Sequence, residues 1–152
     1  MTAIYVDADA SPVKNEVIRV AERYALKVYL VSNHTMKMPP GGALIEMVVV
    51  DNDPDAADNW IVEHITEIDV AVSGDIPLAA RCIKRGARVL DPKGRVFTEE
   101  SIGEALANRD IMTYLRDNGA QVGGTRPYSK QDRSLFLQRL DNLIQAIRRA
   151  NS

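Results

Sequence analysis

The stretch Tyr5-Val6-Asp7-Ala8-Asp9-Ala10-Ser11-Pro12 ends a short apolar run with two carboxylates separated by a single residue. Further acids stand in the same kind of place. Asp51, Asp53 and Asp55 follow the run IEMVVV, Asp58 lies three residues beyond Asp55, and Asp75 follows AVSG. Taken singly, an aspartate at such a junction caps the free N–H groups of a helix and meets the positive end of its dipole, worth up to about 1 kcal/mol. Asp53, directly before Pro54, reads as a cap of that kind. As a set the acids demand more. Two carboxylates about 5 Å apart repel by roughly 3 kcal/mol at an effective dielectric of 20. Four converging would cost an amount comparable to the stability of a whole domain. Such a cluster needs a bound cation, shared protons or wide spacing in water. Oxygen-only ligands select a hard divalent ion, Mg²⁺ or Mn²⁺, over zinc, because the chain has one cysteine and two scattered histidines, His34 and His64. An ion held that way keeps several waters and characteristically acts on a phosphate ester, by acidifying a water and polarising the phosphoryl oxygen.

The elements that must position these acids alternate regularly. AIYV reads as a strand and residues 11–25 as a helix, with Ser11 as its N-cap and Pro12 at its first position. Strands follow at 27–32 and 45–50, separated by a loop with two prolines and two glycines. Residues 53–65 read as a helix, 69–73 as a strand, and 76–86 as a helix closed by Gly86. A strand at 87–90 and a turn at 91–95 lead to a long helix capped by Thr98 and ended by Gly119. Beyond a linker around 119–130, Ser129 and Asp132 form a capping-box pattern that opens a final helix over about 130–150. This alternation predicts one three-layer α/β domain over 1–152, a mostly parallel sheet flanked by helices. In such sheets the carboxyl ends of the strands share one edge, where sites form. Asp7 and Asp9, Asp55 and Asp58, and Asp75 are thereby delivered to one place, with Asp55 and Asp58 on one helix face about 5–6 Å apart.

The chain has 152 residues and a net charge of −2, so nothing in its overall charge attracts nucleic acid or an anionic membrane; a local basic patch would have to do that. No window of eighteen apolar residues and no charged leader precedes the first strand, which predicts a cytoplasmic protein without a membrane partner. Cys82, on a helix, reads as a small buried side chain.

VDADASPVK, DAADNWI, SGDIPLAA, the long helix running to LRDNG, and GGTRPYSKQDRSLF together resemble the YaiI/YqxD family of small bacterial proteins over almost the whole chain. That family is in turn similar to PIN-domain nucleases. The resemblance implies a PIN-like fold with one Asp ending the first strand, an acid on a later helix, and an Asp two residues past a hydroxyl residue. Asp7, Asp55 or Asp58, and Asp75 after Ser73 match those places, and Asp9 or Asp91 would supply a fourth acid. Two departures stand out: the family often has cysteine where this chain has Ser11, and Thr-Gln where it has Ser73-Gly74. The implied function is a metal-dependent nuclease acting on RNA or DNA, RNA being the favoured substrate, with Asp7, Asp58 and Asp75 catalytic and Asp7, Asp9, Asp55, Asp58 and Asp75 holding Mg²⁺ or Mn²⁺. Lys14, Ser73, Arg126 and Arg133 are the expected substrate contacts, with Arg81, Lys84, Arg85 and Lys130 as further basic candidates. Two other functions fit the same residues. One is a non-catalytic PIN-like module that binds nucleic acid or protein. The other is a haloacid-dehalogenase-like phosphohydrolase, in which Asp7 is the nucleophile and Asp9 the general acid.

Overall fold

The computed structural model describes residues 1–37, 44–53, 55–119 and 127–151. Strand β1, Ala3–Asp7, runs into a single 3-10 turn, Ala8–Ala10, and then helix α1, Lys14–Tyr24. Strands β2, Lys27–Ser32, and β3, Ile45–Val49, follow, then α2, Ala56–His64. The second half holds β4, Val70–Val72, α3, Ile76–Lys84, β5, Arg88–Leu90, and a two-residue β6, Val96–Phe97. Two long helices close the chain, α4, Glu99–Asp117, and α5, Lys130–Ala150.

The six strands form one sheet in the order β3-β2-β1-β4-β5-β6, all parallel except β6. This is the mostly parallel, three-layer arrangement expected of a PIN-like fold. Alternate residues of each strand face opposite layers. Ile4, Val6, Val28, Leu30, Val70 and Val72 pack against α1 and α5, while Ala3, Tyr5, Val31, Ala71 and Val89 pack against α2, α3 and α4. The strand order reverses beside β1: the chain moves outward through β2 and β3, then returns to lay β4 on the other flank of β1. The Ala3 N–H donates to the buried Asp69 carboxylate at 2.9 Å, and Asp69 also accepts from the Thr66 amide and hydroxyl, which fixes this long-range return.

Helix ends match their sequence signals in most places. Thr98 and Ser129 each accept from the backbone three residues on, in reciprocal capping boxes, and Gly86 and Gly119 take positive φ where a side chain would be strained. Ser11 departs from its expected role. The 3-10 turn ends at Ala10, residues 11–13 lead from it into α1, which starts only at Lys14, and the Ser11 Oγ accepts the Val13 N–H, at 3.3 Å. β6 was not expected from the sequence, and it pairs antiparallel with β5 across the turn Asp91–Arg95. Within that turn Gly94 has φ +92°, and a Cβ there would sit 2.8 Å from Leu135 Cγ and 3.0 Å from the α5 backbone. The turn is therefore seated directly on α5, and Arg139 donates to the Gly94 carbonyl. Helix α5 buries Phe136, Leu140 and Ile144 completely.

Candidate acidic cleft at the strand ends

Parallel pairing of Val6 with Val72 sets Asp7 beside Ser73 as both strands end. The Ser73 Oγ donates to Asp7 Oδ2 at 3.3 Å and accepts the Asp75 N–H at 3.0 Å. Asp75 then caps α3, one carboxylate oxygen accepting the Leu78 N–H at 3.0 Å. Ser73 thus ties the first and second acids into one unit. Between these strand ends, at the point where the strand order reverses, lies a cavity of about 230 Å³ lined by Asp7, Ser11, Val72, Ser73, Gly74, Asp75 and Pro92. Asp58, in the first turn of α2, is not part of the lining but feels the charges of Asp75 and Asp7.

The electrostatics bind the three acids together. Burial pushes the Asp7 carboxyl up, the Ser73 hydrogen bond opposes this, and the charges of Asp75 and Asp9 push it further. Asp58 is pushed up to about 6, first by burial and then by the charges of Asp75 and Asp7, with Arg81 opposing and Asp55 adding a little. A cleft whose carboxylates resist ionising together lacks positive charge in the metal-free state. Among the described residues, no three His, Cys, Asp or Glu side chains are gathered tightly enough to enclose a metal ion. The ionisable donors on the cavity, Asp7 and Asp75, are both carboxylates, the ligand type that Mg²⁺ accepts one or two at a time while keeping several waters.

The raised Asp58 carboxyl has a measurable consequence. The folded protein binds a proton there more tightly than the unfolded chain, so the associated stability is complete below about pH 4 and is lost as pH rises through about 6. Asp58→Asn removes that loss. In chelator-treated protein the variant is expected to match wild type at pH 3.5 and to exceed it by about 1–2 kcal/mol at pH 8, after allowance for solvent screening. Urea denaturation at the two pH values checks this, and an equal offset at both would refute the electrostatic origin.

Other expected site residues lie elsewhere. Asp9 is turned to the end of β2, where its oxygens meet the Ser32 hydroxyl at 2.5 Å, the Asn33 N–H at 3.2 Å and His34 Nδ1 at 3.1 Å. Asp55 is exposed ahead of α2 and caps it with no side-chain bond. Asp53 accepts the Asp55 N–H at 2.9 Å, closing a turn ahead of the helix; α2 begins only at Ala56 with Asp55 at its N-cap, so Asp53 is not the cap it was expected to be. Asp91 is engaged by the Lys93 and Arg95 amides of its own turn. Lys14 does not reach outward. Its ammonium donates to the Ala8 and Ser11 carbonyls at 3.0 and 3.3 Å, clamping the 3-10 turn. Arg85 donates to the Ile65 carbonyl at the opposite edge of the sheet, and Lys84 ends α3 there. Arg133 is exposed near the start of α5, lining a hollow with Tyr128, Ser129 and Lys130. Arg126 falls outside the described residues. Ser11 and Pro92 line the cleft without having been singled out for it, and the one available signal was their position just beyond strand ends.

A family model described as "Uncharacterized BCR, YaiI/YqxD family" matches residues 5–146. Similar chains include a "UPF0178 protein" of Parvibaculum lavamentivorans, 53% identical over 98% of this chain and 97% of that one. Others of the same name come from Azorhizobium caulinodans, 50% identical over 97% and 92%, and Nitrobacter winogradskyi, 49% identical over 99% and 96%. No solved structure matches this chain significantly. No helix among the described residues is long and apolar enough to cross a membrane.

Proposed function

The chain belongs to the YaiI/YqxD family, and from that premise and its acidic cleft we propose that it is a divalent-metal-dependent phosphodiesterase acting on RNA in preference to DNA. One observation carries the reading: Asp7 and Asp75 line one cavity where the strand order reverses, and Asp58, on a third element, feels the charge of both. These three would hold a hydrated Mg²⁺ or Mn²⁺, with Asp9, engaged by Ser32 and Asn33, and Asp55, exposed ahead of α2, as outer contributors. Such an ion, when bound, supplies positive charge to the phosphoryl oxygen and acidifies a water. Ser73 keeps Asp7 and Asp75 in register through its two hydrogen bonds. Asp58, which faces the charges of Asp75 and Asp7, is the group assigned to take the attacking water's proton. Arg133, joined by Arg126, is assigned to the substrate backbone. The preference for RNA rests on the likeness to PIN-domain nucleases alone.

A non-catalytic module that binds nucleic acid or protein is the second reading, favoured by the absence of a tight three-ligand group among the described residues. The dehalogenase-like reading needs Asp9 as a general acid beside Asp7, and the bonds of Asp9 to Ser32 and Asn33 weigh against it. Calorimetric titration of Mn²⁺ into metal-free protein, followed by incubation with labelled single-stranded RNA and DNA, separates these readings. Saturable binding with RNA cleavage is the expected outcome. Binding without cleavage of either strand would favour the module, and no binding would remove the metal reading altogether.

A further inference from the structure

We infer that Ser11 is the side chain that grips a phosphoryl oxygen in the acidic cleft, an assignment that rests on the phosphodiesterase reading above. Ser11 lines the cavity from the segment that leads into α1, on one layer of the sheet, while Ser73, Gly74 and Asp75 line it from the segment that leads into α3, on the other. It is only 9% exposed, so its hydroxyl has been taken out of bulk water and into the cleft. The pattern of bonds distinguishes the two serines. Ser73 Oγ both donates and accepts, to Asp7 and from Asp75. Ser11 Oγ accepts the Val13 N–H and donates to no atom among the described residues. A buried hydroxyl with an undirected proton is a donor waiting for an acceptor.

The rest of the cleft needs such a donor. Its carboxylates offer only acceptors when ionised, and a phosphodiester brings only acceptor oxygens. The Ser11 hydroxyl is the one neutral side-chain donor of the cavity lining that is not already engaged, and the Gly74 N–H joins it, having no protein acceptor among the described residues. Ser11 is also held in place before any ligand arrives, by the Val13 amide on its Oγ and the Lys14 ammonium on its carbonyl. At about 230 Å³ the cavity is smaller than the clefts of about 300–1,000 Å³ that take drug-sized ligands. It suits a phosphate group with the remainder of the substrate lying outside. The interaction is a hydrogen bond only, and the proton stays on Ser11 Oγ.

The test uses inorganic phosphate titrated calorimetrically into Mn²⁺-loaded protein, with Mn²⁺ affinity measured separately on each variant. Ser11→Ala is expected to weaken phosphate binding roughly tenfold or more, as for loss of a hydrogen bond to a charged group, while Mn²⁺ affinity stays within twofold. Ser11→Thr, which keeps the hydroxyl, is expected to restore phosphate affinity. Unchanged phosphate affinity in Ser11→Ala would overturn the assignment. So would equal weakening in both variants, because the effect would then come from packing and not from the hydroxyl. Wild-type protein that takes up Mn²⁺ but no phosphate would also overturn it. Wild-type protein that takes up no Mn²⁺ would instead remove the phosphodiesterase reading on which the assignment stands.

Discussion

Asp7→Asn is expected to reduce Mn²⁺-dependent RNA cleavage by at least about 10³-fold, the scale seen when a charge that acts in the transition state is removed. Asparagine keeps the shape and can still accept the Ser73 hydroxyl, so the geometry of the strand end survives. What disappears is the negative charge that, on the proposed function, would anchor the ion in the cleft. The variant is expected to be at least as stable as wild type when metal-free. The native carboxyl of Asp7 is pushed up by burial and by Asp75 and Asp9, so above that raised value its ionised form weakens the fold, and the neutral amide does not. Lost activity with undiminished stability is the signature of a residue kept for function at a cost to the fold. Asp9→Asn provides the contrast. Its carboxylate serves Ser32, Asn33 and His34, and its loss is expected to change cleavage by no more than about threefold while loosening the end of β2. Gel-based cleavage rates with both variants decide the matter. An Asp9 variant as impaired as the Asp7 variant would mean that the substrate-bound cleft draws in a fourth acid.

Phe136→Ala is expected to cost about 3–5 kcal/mol, the range for truncating a fully buried aromatic side chain. Phe136 has no exposed surface and sits in the cluster shared by α1, α5 and one face of the sheet. The Gly94 turn is also seated against the α5 backbone at Leu135 and Phe136, so the surroundings have little freedom to collapse into the space left behind. Against a total stability of about 5–15 kcal/mol this is a large fraction, and it lowers Tm by roughly 10 °C or more. Ile111→Ala, on the exposed far half of α4, is the control. Its side chain is 55% exposed, and the expected change is within about 0.5 kcal/mol. Thermal unfolding of both variants checks the pair. A small effect at Phe136 would mean that α5 is not docked on the sheet in solution.

The placement of the acids was legible because a parallel sheet leaves little choice. Once strands alternate with helices, every strand must end at the same edge, and Asp7 and Asp75 meet there from opposite sides of the reversal. The division between Asp7 and Asp9 was not legible. Two positions on, a continuing strand returns a side chain to the same face. Here the strand stops at Asp7, and a 3-10 turn swings Asp9 toward β2. That turn also displaced Ser11 from the cap of α1 into the cleft, since Ser-Pro before a helical stripe reads the same whether the helix begins at once or three residues later. β6 is two residues long, too short to show any period, and it exists because the Gly94 turn brings it back along β5. Lys14 looked like a substrate contact from its place near a helix start, yet its flexible stem lets the ammonium fold back onto two carbonyls. Sequence spacing locates a long side chain's root and says little about its tip.

The docking of α5 also orders events during synthesis. The face of β1, β2 and β4 that carries Ile4, Val6, Leu30 and Val72 is covered in part by Leu140, Ile144 and Ile147, from the last helix. Every strand of the sheet has been synthesised once residue 97 has been made, because β5 and β6 are the last strands in the chain. Some fifty further residues must leave the ribosome before Ile147 can reach that face (147 − 97 = 50), and at about 5–20 residues per second this leaves an apolar sheet surface uncovered for several seconds. A nascent chain halted before α5 should therefore be bound by hydrophobic-surface chaperones and released from them once α5 has emerged.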